Sequence, residues 1–125
     1  MKLLLDTHVL LWWLADSARI EGEAATVIEK AERVLVSAAS VWEIEIKRAK
    51  GKLAAPDDLR EQLASSGFGE LGITAEHAEE AARLPEHHND PFDRVLIAQS
   101  RIEGLTLVTS DEAILRYEVP LLAIR

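Results

Sequence analysis

The chain has 125 residues, of which 48% are hydrophobic and 29% charged, a balance typical of one globular domain and not of a disordered segment. It contains no cysteine, which excludes disulfides and thiolate zinc sites and leaves oxygen or imidazole as ligands for any metal ion. The net charge of −8 excludes a protein that coats nucleic acid with its whole surface, so any nucleic acid must bind at a local site.

A strand is the first predicted element, at Lys2–Leu5. Its apolar run ends at Asp6, long before the length that a signal-peptide core or a membrane span requires. We therefore expect no export signal and no membrane association. The absence of cysteine also fits the reducing environment of the cytoplasm.

Other short apolar runs, each bounded by polar or turn residues, also predict buried strands. They lie at Arg33–Val36 and Leu105–Val108, with Leu121–Ile124 as a further candidate. The segment from Gly67 to Thr74 contains three glycines and is compatible with either a loop or one more short strand.

Segments with the apolar spacing of helices lie between these strands. They cover Val9–Ala15, Glu23–Ala31, Ser40–Lys50, Asp57–Ala64, Thr74–Leu84, Pro91–Glu103 and Asp111–Tyr117. Strands that alternate with helices require crossover connections, and wholly apolar strands are covered on both faces. We therefore expect an α/β fold: a single domain over residues 1–125, with a mostly parallel central sheet of four or five short strands and helices on both faces.

Four acidic residues follow predicted strands or begin predicted helices. Asp6 follows the first strand directly, Glu43 lies about one helical turn after the second, Asp93 opens the helix before the third, and Asp111 follows the third. In an open parallel sheet, groups placed beyond the carboxyl ends of the strands share one crevice. We therefore expect these four acids to converge.

Each acid also has a second interpretation, as a helix cap. Ser40 and Glu43 fit a capping box, Asp90 followed by Pro91 fits a helix start, and Asp111 fits the cap of the last helix. Capping does not require the four acids to converge, whereas a metal site does. Two carboxylates about 5 Å apart repel by roughly 3 kcal/mol at an effective dielectric near 20, so such a cluster needs a cation, and Mg²⁺ is the natural one.

Four motifs are built around these acids. They read Leu-Leu-Leu-Asp6-Thr-His, Ser-Ala-Ala-Ser-Val-Trp-Glu43-Ile, Asp-Pro-Phe-Asp93-Arg-Val-Leu-Ile-Ala-Gln and Leu-Val-Thr-Ser-Asp111. In this order they resemble the PIN-domain ribonucleases, specifically the VapC-like toxins of type II bacterial toxin-antitoxin systems. The resemblance runs from Leu4 to about Tyr117, and the ordered combination is far more specific than any one motif.

The resemblance implies a Mg²⁺-dependent ribonuclease, with Mn²⁺ able to substitute, that hydrolyses phosphodiester bonds in RNA. It implies that Asp6, Glu43 and Asp93 are the principal catalytic acids and metal ligands, with Asp111 as the fourth. It also implies a cognate antitoxin that neutralises the toxin, and a homodimer. The alternative that remains is a non-catalytic scaffold of the same fold that binds RNA or a protein partner.

Further residues are candidates for contact with the substrate or for support of the site. They are Thr7, Lys47, Arg48, Asp90, Arg94, Thr109 and Ser110. Lys47 and Arg48 begin a basic run that is either a solvated helix end or a patch that steers phosphate, with Arg94 and Arg101 as further contributors. Asp90 is assigned mainly to capping, and Thr109 or Ser110 supplies a nearby hydroxyl by the resemblance.

The histidines and tryptophans are assigned no catalytic role. His87 and His88 are adjacent in a loop, adjacent histidines rarely converge on one ion, and Mg²⁺ disfavours imidazole. Trp12, Trp13 and Trp42 are most simply core or near-core residues. Since Trp12 and Trp13 cannot both point the same way on a helix, one of them is a candidate for an interface.

The spacing of the acids weighs against two other classes of α/β protein. A receiver domain would need adjacent acids after the first strand together with an acceptor aspartate in mid-chain, and this combination is not found. A phosphohydrolase of the haloacid-dehalogenase type needs a second aspartate two residues after the first, where this chain has His8.

Overall fold

Five strands and six α-helices form the described part of the chain in the computed structural model of the protein, which covers residues 1–15, 18–20, 22–117 and 119–124. The strands are β1 (Lys2–Leu5), β2 (Arg33–Ser37), β3 (Gly69–Leu71), β4 (Thr106–Thr109) and β5 (Leu121–Ala123). The helices are α1 (Thr7–Leu14), α2 (Glu23–Lys30), α3 (Ala38–Ala49), α4 (Leu59–Ser65), α5 (Ala75–Arg83) and α6 (Pro91–Glu103). No helix among the described residues combines the length and the apolar character needed to cross a membrane.

The strands pair into one sheet in the order β3-β2-β1-β4-β5, and every pair is parallel. The central strand is β1, in which Leu3, Leu4 and Leu5 are fully buried. Central parallel strands are covered on both faces, which explains why β1 is a continuous apolar run. The expected α/β class with a mostly parallel sheet is confirmed, and the sheet has five strands.

Side chains of β1 alternate between two apolar cores, one on each face of the sheet. Leu3 and Leu5 belong to the core that contains residues of α1, α2, α3 and α4. Leu4 belongs to the other core, which contains residues of α6 and β4. Helices therefore cover both faces, as expected.

The ambiguous segment between Gly67 and Thr74 contains β3, a three-residue strand at the edge of the sheet. Its first residue, Gly69, lies so close to β2 that an added Cβ would come within 2.9 Å of Leu35 Cδ2. The glycine therefore allows this short edge strand to approach its neighbour.

The helix predicted at Asp111–Tyr117 is wrong, because only Ile114–Arg116 forms a helical turn, and that turn is 3₁₀. Asp111 Oδ1 accepts a hydrogen bond from the Ala113 N–H at 2.8 Å, and Thr109 Oγ1 accepts one from the Asp111 N–H at 3.0 Å. Local side-chain bonds of this kind compete with the backbone pattern of an α-helix. The segment after β4 is therefore a side-chain-stabilised turn.

The carboxyl ends of β2, β1 and β4 lie side by side in the middle of the sheet. Asp6 follows β1, Ser37 ends β2 and caps α3, and Asp111 comes two residues after β4. This edge is where open parallel sheets bind their ligands. The fold therefore places the candidate residues at one end of the molecule.

Candidate metal centre

Asp6 is a buried carboxylate, only 3% exposed, at the junction of β1 and α1. Its Oδ1 accepts from the Val9 N–H at 2.8 Å, so it caps α1, and its Oδ2 accepts from the Thr109 hydroxyl. Burial raises the pKa of Asp6, the two hydrogen bonds oppose that rise, and the charge of Asp111 adds to it. Asp6 is therefore both a cap and a member of an acidic cluster.

Thr109 connects Asp6 to Asp111. This fully buried residue at the end of β4 donates its hydroxyl to Asp6 and accepts the N–H of Asp111. Asp111 uses Oδ1 to hold its own turn, while its Oδ2 lies 3.4 Å from His88 Nε2. Ser110, the other candidate hydroxyl, is partly exposed and lies between Thr109 and Asp111 in the chain.

Glu43 lies on α3 and does not belong to the predicted capping box. The helix begins at Ala38 and is capped by Ser37, whose Oγ accepts from the Ala39 N–H at 3.0 Å, so Glu43 is in the second turn. It is 4% exposed, and Lys47 Nζ donates to its Oε2 at 2.7 Å. Its other oxygen, Oε1, is buried and has no hydrogen-bond partner among the described residues.

Thr7 holds α1 against α3. Its buried hydroxyl donates to Ser40 Oγ at 3.0 Å, one helical turn before Glu43. This contact favours a packing role over the contact with substrate that the sequence predicted. It also fixes the helices that carry Asp6 and Glu43 relative to one another.

Asp90 and Asp93 stand at the start of α6. Asp90 Oδ1 accepts from the N–H groups of Phe92 and Asp93, which confirms its assignment as a cap. Asp93 is 16% exposed, and burial, followed by the charge of Asp90, raises its pKa to about 6. The charge of Glu43 contributes to the same rise, so α3 and α6 bring their acids together.

The two adjacent histidines point to different surroundings. The ring of His87 packs edge-on against Tyr117, with 5.0 Å between ring centroids. His88 Nε2 lies 2.7 Å from Asp93 Oδ2, and ligand atoms of His88, Asp93 and Asp111 all lie within 4.8 Å of one another. The sequence predicted no metal binding by His87 or His88, whereas the structure places His88, but not His87, against two of the acids.

The basic run on α3 is divided between two environments. Lys47 pairs with Glu43, and the charges of Asp90 and Asp93 also raise its pKa, so its ammonium group faces the acidic cluster. Arg48 instead pairs with Glu45 and with Asp57, the latter at 2.8 Å. Of these two residues, Lys47 is therefore the one placed to meet a phosphate bound at the cluster.

Arg94 does not extend the predicted basic patch. Its guanidinium donates to the backbone carbonyls of Ala81, Leu84, Pro85 and His88 at 2.8–3.1 Å. These bonds tie the connection between α5 and α6 to the first turn of α6. The geometry therefore favours a structural role, because the donors that would steer phosphate are already engaged. Arg101, the other contributor, pairs with Glu80 at 3.3 Å.

Trp42 is 60% exposed, so its predicted place in or near the core is wrong. Its ring packs edge-on against Phe92, with 5.2 Å between centroids. Trp42 and Phe92 directly precede Glu43 and Asp93 in the chain. Trp12 and Trp13, by contrast, are partly buried against the first core.

The donor set fits a divalent cation. Burial and neighbouring carboxylates raise the pKa of Asp6 and of Asp93, and a positive ion would relieve this repulsion. Glu43 Oε1, which has no hydrogen-bond partner among the described residues, is a buried acceptor that such an ion would satisfy. Carboxylate oxygens are the ligands that Mg²⁺ and Mn²⁺ take in proteins. The arrangement can therefore hold an ion that acts on a phosphate.

Comparisons with known proteins agree with this geometry. A family model described as the PIN domain matches residues 3–120. Ribonuclease VapC22 of Mycobacterium tuberculosis is 32% identical over 120 residues, which cover 94% of this chain and 92% of that protein. Among solved structures, a toxin-antitoxin complex from Klebsiella pneumoniae has a TM-score of 0.72 at 17% identity and covers 98% of both chains. DNA-bound VapBC from Salmonella typhimurium has a TM-score of 0.73 at 15% identity and covers 100% of this chain and 99% of that one.

Proposed function

The chain belongs to the PIN-domain family, and we propose that it is a metal-dependent ribonuclease that acts as the toxin of a toxin-antitoxin pair. The relative that is 32% identical carries the name of a ribonuclease, and its alignment takes in nearly the whole chain. The observation that supports the proposal is a chain of contacts among acids from separate elements: the charge of Asp111 acts on Asp6, the charge of Glu43 acts on Asp93, and His88 lies against both Asp93 and Asp111. Glu43 Oε1 adds a buried oxygen that has no hydrogen-bond partner among the described residues.

Asp6, Glu43, Asp93 and Asp111 are the residues that would hold the ion, for which we propose Mg²⁺ or Mn²⁺. When bound, the ion supplies Lewis acidity at the scissile phosphate and a nucleophile from water at neutral pH. Thr109 orients Asp6 by donating to its Oδ2.

The remaining candidates take supporting roles. Lys47 provides a positive charge beside Glu43 that can meet a second phosphate of the RNA. Asp90 caps α6 and so fixes Asp93, while Ser110 is adjacent to Asp111 and stays a candidate for contact with the substrate. Arg48, which pairs with two other acids, is a weaker candidate than Lys47.

We further propose a cognate antitoxin and a homodimer as partners, and the cytoplasm as location. Solved structures with this fold include toxin-antitoxin complexes, among them the one from Klebsiella pneumoniae. The proposed domain takes in residues 1–125, a little beyond the matched residues 3–120.

The test is cleavage of labelled structured RNAs by protein purified free of any partner, in Mg²⁺ or Mn²⁺ and in EDTA. Asp6→Asn and Asp93→Asn each remove one carboxylate charge from the cluster while keeping the shape of the side chain. Asp58→Asn makes the same change at an exposed position directly before α4 and serves as the matched control.

We expect discrete cleavage by the wild type and by Asp58→Asn, and at least a hundredfold loss in EDTA and in both cluster variants. Equal cleavage by all four proteins would indicate a contaminating nuclease. Absence of cleavage together with absence of metal binding would instead favour the non-catalytic scaffold.

A further inference from the structure

His88 occupies a place in the acidic cluster that the family motifs do not account for. Its Nε2 is 2.7 Å from Asp93 Oδ2 and 3.4 Å from Asp111 Oδ2, and its side chain is 19% exposed. The two carboxylates come from different elements, the first turn of α6 and the turn after β4. One imidazole nitrogen therefore faces both of them.

The loop that carries His88 is held in place independently of this contact. Arg94 Nη1 donates to the His88 carbonyl at 3.0 Å and to the Pro85 carbonyl at 3.1 Å. The Tyr117 hydroxyl donates to the same Pro85 carbonyl at 2.7 Å and accepts the N–H of His87 at 3.1 Å. The backbone at residue 88 is therefore fixed by α6 on one side and by the 3₁₀ turn on the other.

The spacing of the three ligand atoms matches coordination of one ion. Neighbouring ligands of an octahedral ion with bonds of about 2.1 Å lie about 3.0 Å apart, and opposite ligands about 4.2 Å apart. The two distances from His88 Nε2, 2.7 Å and 3.4 Å, bracket the first value. All three atoms lie within 4.8 Å of one another, so a small contraction would complete the arrangement.

A purely structural hydrogen bond between His88 and Asp93 does not explain why the second carboxylate, that of Asp111, also lies close to His88 Nε2. Such a bond would need one acceptor, whereas Nε2 faces two carboxylates that repel each other. An ion placed between the three groups would remove that repulsion and use the lone pair of the imidazole nitrogen.

We propose that His88 is a direct nitrogen ligand of the metal centre and that it biases the site towards a first-row transition ion over Mg²⁺. The inference rests on the proposed function, because it assumes that the cluster holds a divalent ion. Mg²⁺ takes oxygen ligands almost exclusively, whereas imidazole suits the transition ions. A ligand set of carboxylates with one imidazole should therefore hold Mn²⁺ more tightly than Mg²⁺.

The test is pulsed electron paramagnetic resonance of the full chain loaded with Mn²⁺, in which a coordinated imidazole gives a nitrogen-14 coupling. The chain has 4 histidines, and two of them supply matched controls. His87→Gln removes the adjacent imidazole, which packs on Tyr117, and His8→Gln removes the imidazole whose charge acts on Asp6. We expect the coupling in the wild type and in both controls, and its loss in His88→Gln.

Calorimetric titration of the same proteins gives a second readout that does not depend on RNA cleavage. Loss of a residue that merely orients a ligand lowers metal affinity roughly 10- to 100-fold, so loss of a direct ligand should cost at least about tenfold. We expect His88→Gln to lower the affinity for Mn²⁺ by this amount and to change the affinity for Mg²⁺ much less.

The outcomes separate the two proposals. Mn²⁺ that binds the wild type without a nitrogen coupling overturns the role of His88 and leaves the metal-dependent nuclease intact. A coupling that survives in His88→Gln overturns it as well. A wild type that binds neither ion contradicts the proposed function itself, and the inference fails with it.

Discussion

At the scale of single residues, Asp93 gives the metal-free protein a characteristic dependence of stability on pH. Burial and the charge of Asp90 raise its pKa from 3.8 to about 6 in the folded protein. Protonation of Asp93 therefore favours the folded state. This contribution is complete below about pH 4, decreases as the pH rises, and is lost above about pH 6. A shift of about two units corresponds to roughly 2–3 kcal/mol.

Asp93→Asn should remove this dependence, because an amide does not titrate. We expect the free energy of unfolding of the wild type, measured in EDTA, to fall relative to that of the variant between pH 4 and pH 7. Asp58→Asn, at an exposed position, should leave the wild-type profile unchanged. Parallel profiles for the wild type and Asp93→Asn would contradict this interpretation.

Lys47 and Arg48 give a prediction about the salt dependence of RNA binding. Lys47 faces the acidic cluster, whereas Arg48 is already paired with Glu45 and Asp57. Each phosphate contact on a single strand contributes about 0.7 to the slope of log K against log salt. Lys47→Gln should lower this slope by about 0.7 in EDTA, where no cleavage occurs, and Arg48→Gln should not. An equal effect of both variants would support the sequence prediction that Lys47 and Arg48 belong to one patch that steers phosphate.

The places of Asp6 and Asp111 beyond the ends of strands were predictable from the sequence, because they depend only on the order of elements. The directions of other side chains were not. The buried face of α3 consists of Ala39, Ser40, Glu43 and Ile44, and Trp42 is exposed because it lies on the other side of the helix. The path of the connection between α5 and α6 brings His88 to two acids and brings backbone carbonyls to Arg94. No periodicity in the sequence reveals this path.

At the scale of elements, the end of α6 depends on one glycine. Gly104 caps the helix in the left-handed region, with φ of 68°, and its N–H donates to the Ser100 carbonyl. An added Cβ would meet nothing within 4 Å, so the cost of Gly104→Ala is conformational, about 1–2 kcal/mol. Gly72 is equally open but has no positive φ, and Gly72→Ala is the matched control.

Chemical denaturation of the two glycine variants measures this difference. We expect Gly104→Ala to unfold at lower denaturant concentration with an unchanged slope, and Gly72→Ala to lie within about 0.5 kcal/mol of the wild type. If both variants lost the same stability, the left-handed cap would not be the cause.

The apolar strands, including the three-residue β5, and the periodic helices were predictable, whereas β3 and the segment after β4 were not. β3 has three residues, so neither alternation nor length distinguishes it from a loop. The segment after β4 has the spacing of a helix, but Asp111 and Thr109 hold it in a turn through their side chains. Pairing with β2 in the folded sheet decided the first case, and local side-chain hydrogen bonds decided the second.

At the scale of the whole molecule, the proposed ion should stabilise the fold because its ligands come from four separate segments. An ion that binds only the folded state at 100 times its Kd contributes about 2.7 kcal/mol. For a chain of 125 residues this corresponds to a rise in Tm of roughly 10 °C. We expect Mn²⁺ to raise the Tm of the wild type and of Asp58→Asn, and to have little effect on Asp6→Asn. A rise in Tm of equal size in Asp6→Asn would indicate that the ion binds at a site that does not include Asp6.

The hydrogen bond from Thr109 to Asp6 joins residues 103 positions apart. Asp6 precedes β4 in the chain, so it is synthesised before the strand that completes its surroundings. At about 5–20 residues per second, the interval between them lasts roughly 5–20 seconds. Throughout that interval the nascent chain carries Asp6 without the Thr109 hydroxyl that orients it and without Asp111. The proposed metal centre is thus incomplete until β4 and the turn after it have been made.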